Sequence, residues 1–253
     1  MLAGVSVDYY TRLEKGNLRT ASDQVLDAIA EALRLDPAER SHLFDLARSA
    51  RSRTAPVMDD PRVTSSHVTD SLRPILDGMI GTPALISNGR LDILAANPLA
   101  RGLYAPVFDS PTRAPKSPAN LARFRSLDPA SRDFYPDWAE SADAPVAILR
   151  YQAGQYPRDT ALSNLVGELS TRSDEFRTRW AAHNVRTHDR GAKRINHPVV
   201  GEIALDFDAM TVDANRSLRF MVYTARPDTR DAETLALLGS WITSETALKS
   251  LKR

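Results

Sequence analysis

Three groups of residues in this chain are chemically equipped to act. The first lies near the start, where Tyr10 and Leu13 are three apart and share one helix face while Asp8, Tyr9, Thr11, Arg12 and Lys15 point away. A polar helix face of this kind can hydrogen-bond base edges, and Arg12 suits guanine O6 and N7. Val7, Asp8, Tyr9, Thr11, Arg12, Lys15 and Arg19 are therefore the candidate contacts to double-stranded DNA. The second group is the five histidines, His42, His67, His183, His188 and His197, together with the carboxylate pair Asp206 and Asp208. No two histidines have the i,i+3 or i,i+4 spacing of a helical metal-ligand pair, so no metal is expected. Asp206 and Asp208 alternate with Phe207 and read as the solvated side of a strand, not as a catalytic dyad. The third group is the basic run Arg186 to Arg194, read as a solvated loop, with an anion contact as the sharper alternative.

The elements that would position the first group are legible. Gly4-Val5-Ser6 forms a tight turn, and Ser6 can cap a helix that opens at Val7. Gly16 can end it in the left-handed conformation. A short helix after a glycine turn is the second element of a helix-turn-helix, the one that lies in the major groove. An amphipathic helix follows from about Ser22 to Leu33, with Val25, Leu26, Ile29 and Leu33 on its stripe. Asp36-Pro37 with Glu39 then makes a capping box for a helix ending near Ala50.

Length and composition bound the rest. The 253 residues suffice for one large or two modest domains. Cysteine is absent, which removes disulfide and thiol chemistry and fits a reducing, cytoplasmic setting. No apolar run approaches the ~20 residues of a membrane span. The 33 basic and 32 acidic side chains nearly cancel, and the first 54 residues carry eight of each. Phosphate contacts must then come from local clustering of Arg12, Lys15 and Arg19 and not from a basic domain. There is no Gly-rich phosphate loop and no nucleophile elbow, so neither a cofactor nor an enzyme is expected.

Residues 53–70 gather Pro56, Pro61, Ser, Thr and paired acids without periodicity and read as a linker between residues 1–52 and 71–253. Beyond it a helix is expected around Leu72 to Ile80, then two strands flanking a two-residue Asn88-Gly89 turn, then a helix from Leu99 to Tyr104. Helices fill the middle, one of them kinked at Pro145. Ile203, Leu205 and Phe207 alternate with polar residues, as do Leu218, Phe220 and Val222 after a turn near Asp213, which predicts a late antiparallel hairpin. A last helix starts near Asp231. The order gives an α+β fold, a small all-α unit followed by an antiparallel sheet with helices over one face.

Leu2-Ala3-Gly4-Val5-Ser6 with Tyr10, Leu13, Glu14 and Gly16 resembles the helix-turn-helix of XRE-family bacterial regulators, and Ser22 to Leu35 resembles the fourth helix of that domain. Gly81-Thr82-Pro83-Ala84-Leu85, Ala96-Asn97-Pro98-Leu99-Ala100, Asn120-Leu121-Ala122-Arg123-Phe124, Leu127-Asp128-Pro129, Asp137-Trp138, Trp180-Ala181-Ala182-His183-Asn184-Val185 and His197-Pro198-Val199-Val200-Gly201 resemble, in order, the MmyB-like subgroup. That resemblance implies a PAS-like domain enclosing a fatty acid or similar apolar ligand, and a homodimeric regulator. It makes Asn97, Arg123, Phe124, His183, Arg186 and Phe220 the candidate ligand contacts, with Arg123, His183 and Arg186 suited to a carboxylate at a pocket mouth. Two positions depart from the family's pattern, Ala96 where it usually has Trp and Arg125 where it has an apolar residue. Only Met1-Leu2-Ala3 precede the turn, so the helices that come first in an XRE domain are expected to be missing here, leaving Tyr10, Leu13, Val25 and Ile29 short of apolar partners. The alternative reading is a small-molecule binding module that no longer engages DNA.

Overall fold

The computed structural model describes residues 21–36, 39–40, 43–44, 47, 61–113, 116–182, 190–213 and 215–251. Helix α1, Asp23–Ala32, is capped by Ser22, whose hydroxyl accepts from the Val25 amide at 3.4 Å. Leu26 and Ile29 are buried with Ala47, and Val25, Leu43 and Phe44 pack against them. Leu33, expected on the same stripe, is instead exposed as the C-cap residue. The capping box forms as read: the Asp36 amide donates to Glu39 Oε2 at 2.9 Å and the Glu39 amide to Asp36 Oδ1 at 2.8 Å.

The larger unit is built on one five-stranded antiparallel sheet in the order β2-β1-β5-β4-β3. Its strands are β1 Ala84–Asn88, β2 Ile93–Ala96, β3 Arg190–His197, β4 Gly201–Val212 and β5 Asn215–Thr224. This is the α+β, PAS-like arrangement the sequence order implies, with a helical insertion between β2 and β3. The insertion runs α3 Pro98–Leu103, α4 Ala105–Phe108, α5 Leu121–Leu127, α6 Ala130–Phe134, α7 Trp138–Ser141, α8 Asp143–Gln155, α9 Thr160–Arg172 and α10 Asp174–Ala181. Before the sheet stands α2, Pro61–Gly78, and after it α11, Arg230–Leu251.

Strand alternation divides the apolar side chains into two layers. Leu85, Leu205, Phe207, Met221 and Tyr223 face the inserted helices and α11 in the main core, where Leu103, Phe124, Leu149 and Leu238 are also buried. Ala84, Ile86, Leu218 and Phe220 face the other way, against Leu76 of α2, Leu72 and Met79. Helices therefore cover both faces, not one as expected. The reason is that β1 is buried at every position, so its second face needs a cover.

Four local readings need correction. The helix before the sheet starts at Pro61, inside the stretch read as linker. The β1–β2 turn is a three-residue loop: the Leu91 amide donates to Asn88 O at 2.9 Å, and the left-handed residue is Leu91, φ 64°, not the glycine. Leu91 is held there because its side chain is buried and its carbonyl accepts from the Leu121 amide at 3.0 Å, while a Cβ on Gly89 would lie 2.3 Å from Gln152 Oε1. Pro145 bends nothing, because α7 ends at Ser141 and Pro145 falls in the first turn of α8, where its missing N–H has no intrahelical partner to lose. Finally, Arg190–Arg194, read as loop, belongs to edge strand β3, paired along its length with β4.

Asn97 joins the start of the sheet to the first inserted helix. Its Oδ1 accepts from the amides of Ala84 at 3.2 Å and Ala100 at 2.8 Å, and its Nδ2 donates to the carbonyls of Met79 and Thr82, both at 2.8 Å. Asn97→Asp would keep the shape but remove the donor and set a charge against two carbonyls. Leaving buried polar groups unpaired costs about 1–3 kcal/mol each. We expect the variant to lose about 3 kcal/mol or more in urea unfolding; a loss under 1 kcal/mol would show that the junction tolerates the change.

Candidate functional site

The site is reached by following β3 inward. Arg190, Ala192, Arg194 and Asn196 are exposed, so the alternate residues Gly191, Lys193, Ile195 and His197 turn to the main core. Two of the outward arginines are spent on exposed ion pairs, Arg190 with Asp208 at 2.7 Å and Arg194 with Glu202 and Asp137. Asp206 likewise pairs with Arg226 at 3.4 Å, so the two strand carboxylates lie on a solvated polar face as read. His197 is a structural residue: its Nδ1 accepts from the Val199 amide at 3.2 Å, which leaves Nε2 protonated to donate to Gly102 O at 3.0 Å. Burial holds its pKa below the usual value.

Lys193 enters an aromatic cage. Its Nζ lies 5.3 Å from the ring centre of Phe207, 5.8 Å from Tyr223 and 5.9 Å from Tyr104. The cage follows from register: Gly191 faces Phe207, and Phe207 faces Tyr223 on the next strand. A Cβ on Gly191 would stand 3.1 Å from Phe207 Cε1, so the glycine makes room for that ring. Tyr104, the C-cap of α3, closes the cage with its ring 5.5 Å from that of Tyr223. Its hydroxyl and that of Tyr223 perturb one another's ionisation but fall short of hydrogen-bond geometry, and both are buried without a partner.

A second cation lies nearby. Arg125 of α5 is 5% exposed, its guanidinium carbon 3.4 Å from the ring centre of Tyr135, and it donates to Ser141 Oγ. Among the described residues, neither Arg125 nor Lys193 is paired with a carboxylate. Removing a charge from water costs several kcal/mol, and a desolvated cation–π contact returns about 2 kcal/mol, so the cage offsets only part. Burial first, and the Arg125 charge second, bring the Lys193 pKa down to about 7. Desolvation also lowers Arg125 and raises all three tyrosines.

Among the described residues, little empty space adjoins the cluster. Beside Arg125 a cavity lined by Trp138, Val146, Phe176 and Arg179 has room for about one water molecule. A small-molecule pocket usually holds about 300–1,000 Å³. Among the described residues, apolar and aromatic side chains surround the cluster and leave no space of that size.

The residues anticipated from sequence are scattered. Asn97 spends its amide on backbone groups, and Phe124 packs edge-on against Phe134, with ring centres 5.7 Å apart. Arg123 is taken by Glu168 at 2.9 Å, between α5 and α9. Phe220 is on the α2 side of the sheet, away from the cage, because it is one residue out of phase with Tyr223. His183 and Arg186 lie outside the described residues, as do Val7, Asp8, Tyr9, Thr11, Arg12, Lys15 and Arg19. Lys193 belongs to the basic run for which an anion contact is the sharper alternative, and Arg125 to the departures from the family pattern, but neither is expected in the interior. The available signal was a lysine in phase with Ile195 and His197, once the strand is extended back through Arg190.

The chain thus carries a five-stranded sheet with a helical insertion and an inward-turned cation cluster, preceded in sequence by a small helical cluster around Leu26 and Ile29. Among known families, a helix-turn-helix domain model matches residues 1–43, and the MmyB-like transcription regulator ligand binding domain matches residues 68–238. The chain belongs to the MmyB-like family, and the two matches together make it a helix-turn-helix transcription regulator with a ligand-binding domain. A comparison with curated proteins found no match. No helix of the described residues is long and apolar enough to cross a membrane.

The pKa of Lys193 gives a stability test. The folded value, about 7, lies below the ordinary lysine value of 10.5, so between them the unfolded chain binds the extra proton and stability rises with pH. Lys193→Met keeps the apolar stem and removes the charge. It should stabilise the protein at pH 7 and below, with the advantage narrowing by up to about 1.4 kcal/mol per pH unit above pH 7. A constant difference from pH 6 to 10 in denaturant unfolding would show that the buried amine does not titrate there.

Proposed function

We propose that this chain is a bacterial, XRE-type regulator that binds an operator as a homodimer in the cytoplasm and responds to a fatty acid or similar amphiphile. Residues 1–52 carry DNA recognition and residues 71–253 sense the ligand. The observation that carries this reading is the presence of both family matches in one chain, one domain suited to DNA and the other to a small molecule. Val7, Asp8, Tyr9, Thr11 and Arg12 face the bases, while Lys15 and Arg19 contact phosphates. No catalytic step is assigned. Residues that would touch the ligand include Phe124 on the main-core side, and His183 and Arg186 ahead of β3; the places of Asn97, Arg123 and Phe220 in the fold favour structural roles for those three.

Two measurements test this function. Selection of binding sites from random DNA should give one motif for the chain and a relaxed one for Arg12→Ala, because a bidentate guanine contact discriminates by about 1–3 kcal/mol. The same motif from both would remove Arg12 from the base contacts, and no enriched motif at all would favour the module that no longer engages DNA. With the selected site in hand, saturating dodecanoate should change operator affinity by about fivefold or more, the lower end of ordinary allosteric coupling. An affinity unmoved by any fatty acid of eight to eighteen carbons would separate DNA binding from lipid sensing.

A further inference from the structure

We propose that Lys193 and Arg125, with the hydroxyls of Tyr104 and Tyr223, form an internal head-group site for an anionic amphiphile, a carboxylate or phosphate monoester on an apolar body. The inference rests on the reading of this domain as a ligand sensor, and it moves the polar end of the ligand from a pocket mouth to the interior of the sheet. Two cations share the enclosure with no carboxylate set against either among the described residues. Two tyrosine hydroxyls of the same cluster are fully buried and donate to nothing. Buried donors and buried charges are ordinarily paired, because each orphan is costly. All four groups act in one direction: each cation attracts an anion, and each hydroxyl can donate to it. The surroundings are apolar and aromatic, with Phe134 6.1 Å from Tyr104 and Leu205 opposite Lys193 in the sheet. A cation or a neutral polar ligand would leave the positive charges uncompensated, and a wholly apolar one would leave the hydroxyls unpaired as well.

The filled interior adds a condition. Among the described residues the space beside the cluster is too small for an alkyl body, so binding there displaces side chains, and the cavity walled by Trp138, Val146 and Phe176 next to Arg125 is where packing is already incomplete. Among the described residues, the groups around Lys193 are Arg125 from α5, Tyr104 from the end of α3, Phe207 from β4 and Tyr223 from β5, none of them an acid at neutral pH. An anion placed among them favours the charged amine. Binding should therefore take up a proton when the pH lies above that at which the empty site is charged, about 7.

The test uses the full chain with dodecanoate, dodecyl phosphate and 1-dodecanol, each below its critical micelle concentration, by calorimetric titration at pH 7. At least one anion should bind about tenfold or more tightly than the alcohol, the least expected of a charge-assisted contact in a desolvated site. Which anion is preferred identifies the head. Lys193→Met should reduce that preference to within about threefold, and Arg125→Leu should reduce it as well; circular dichroism confirms that each variant is folded, and either alone suffices for the test. For the native chain, anion affinity should fall as pH rises from 7 to 9, approaching tenfold per unit, while the alcohol is unaffected. Equal binding of anions and alcohol, or a preference that survives both substitutions, overturns the head-group site and leaves the sensor reading standing. No binding of any of the three overturns both.

Discussion

The larger domain depends on how one asparagine satisfies four backbone groups at once. Asn97 stands where α2 has ended, β1 begins and α3 starts, and its amide accepts from the first strand and the first helical turn while donating to both carbonyls of the entering segment. A hydroxyl or carboxylate could cap the helix but could not supply both donors. With this corner fixed, β1 is committed to the inside of the sheet between β2 and β5, and both of its faces must be covered. The helical insertion covers one and α2 the other. A similar junction at the opposite end of the hairpin joins Asn88, Asp92 and Asn120, where Asn120 Nδ2 reaches Asp92 Oδ1 at 2.8 Å and Asn88 Nδ2 reaches Asp92 Oδ2 at 2.9 Å. Arg90 extends it to Asp159, the N-cap of α9, at 3.0 Å.

Between these fixed corners the interior is unusual in its polarity. Cores of this size normally exclude unpaired charge, since each buried ion costs several kcal/mol and aromatic rings return only part of it. Here a lysine and an arginine are both turned inward among tyrosines. A core designed only for stability would carry aliphatic residues at positions 125 and 193. Cations there fit a domain whose structure is completed by something that binds it.

Much of the fold was legible along the chain because the relevant forces are local. Hairpin, capping box, helix periodicity and the late alternating strands all arise from neighbours within a few residues, and the α+β order followed from them. Two of the misreadings occurred where a distant partner overrides local preference. Leu91 takes the left-handed conformation a glycine would be expected to hold, because Leu121 pairs with its carbonyl. Arg190 to Arg194 reads as a loop from composition, yet pairing with β4 makes it a strand.

The sequence by itself determined the class of the protein: two units, an α+β sensor-like domain after a helical one, no cysteine, and strings specific enough to point to the family. Those features reside in composition and in the order of short motifs, which survive without knowledge of packing. Only the tertiary structure decided where charge lies. Whether Lys193 is a surface or an interior residue depends on the phase of β3, and that phase is set by eight pairings with a strand whose sequence comes after it. Whether Arg123 or Arg125 points inward depends on which side of a seven-residue helix meets the main core, a helix too short for its own pattern to settle the question.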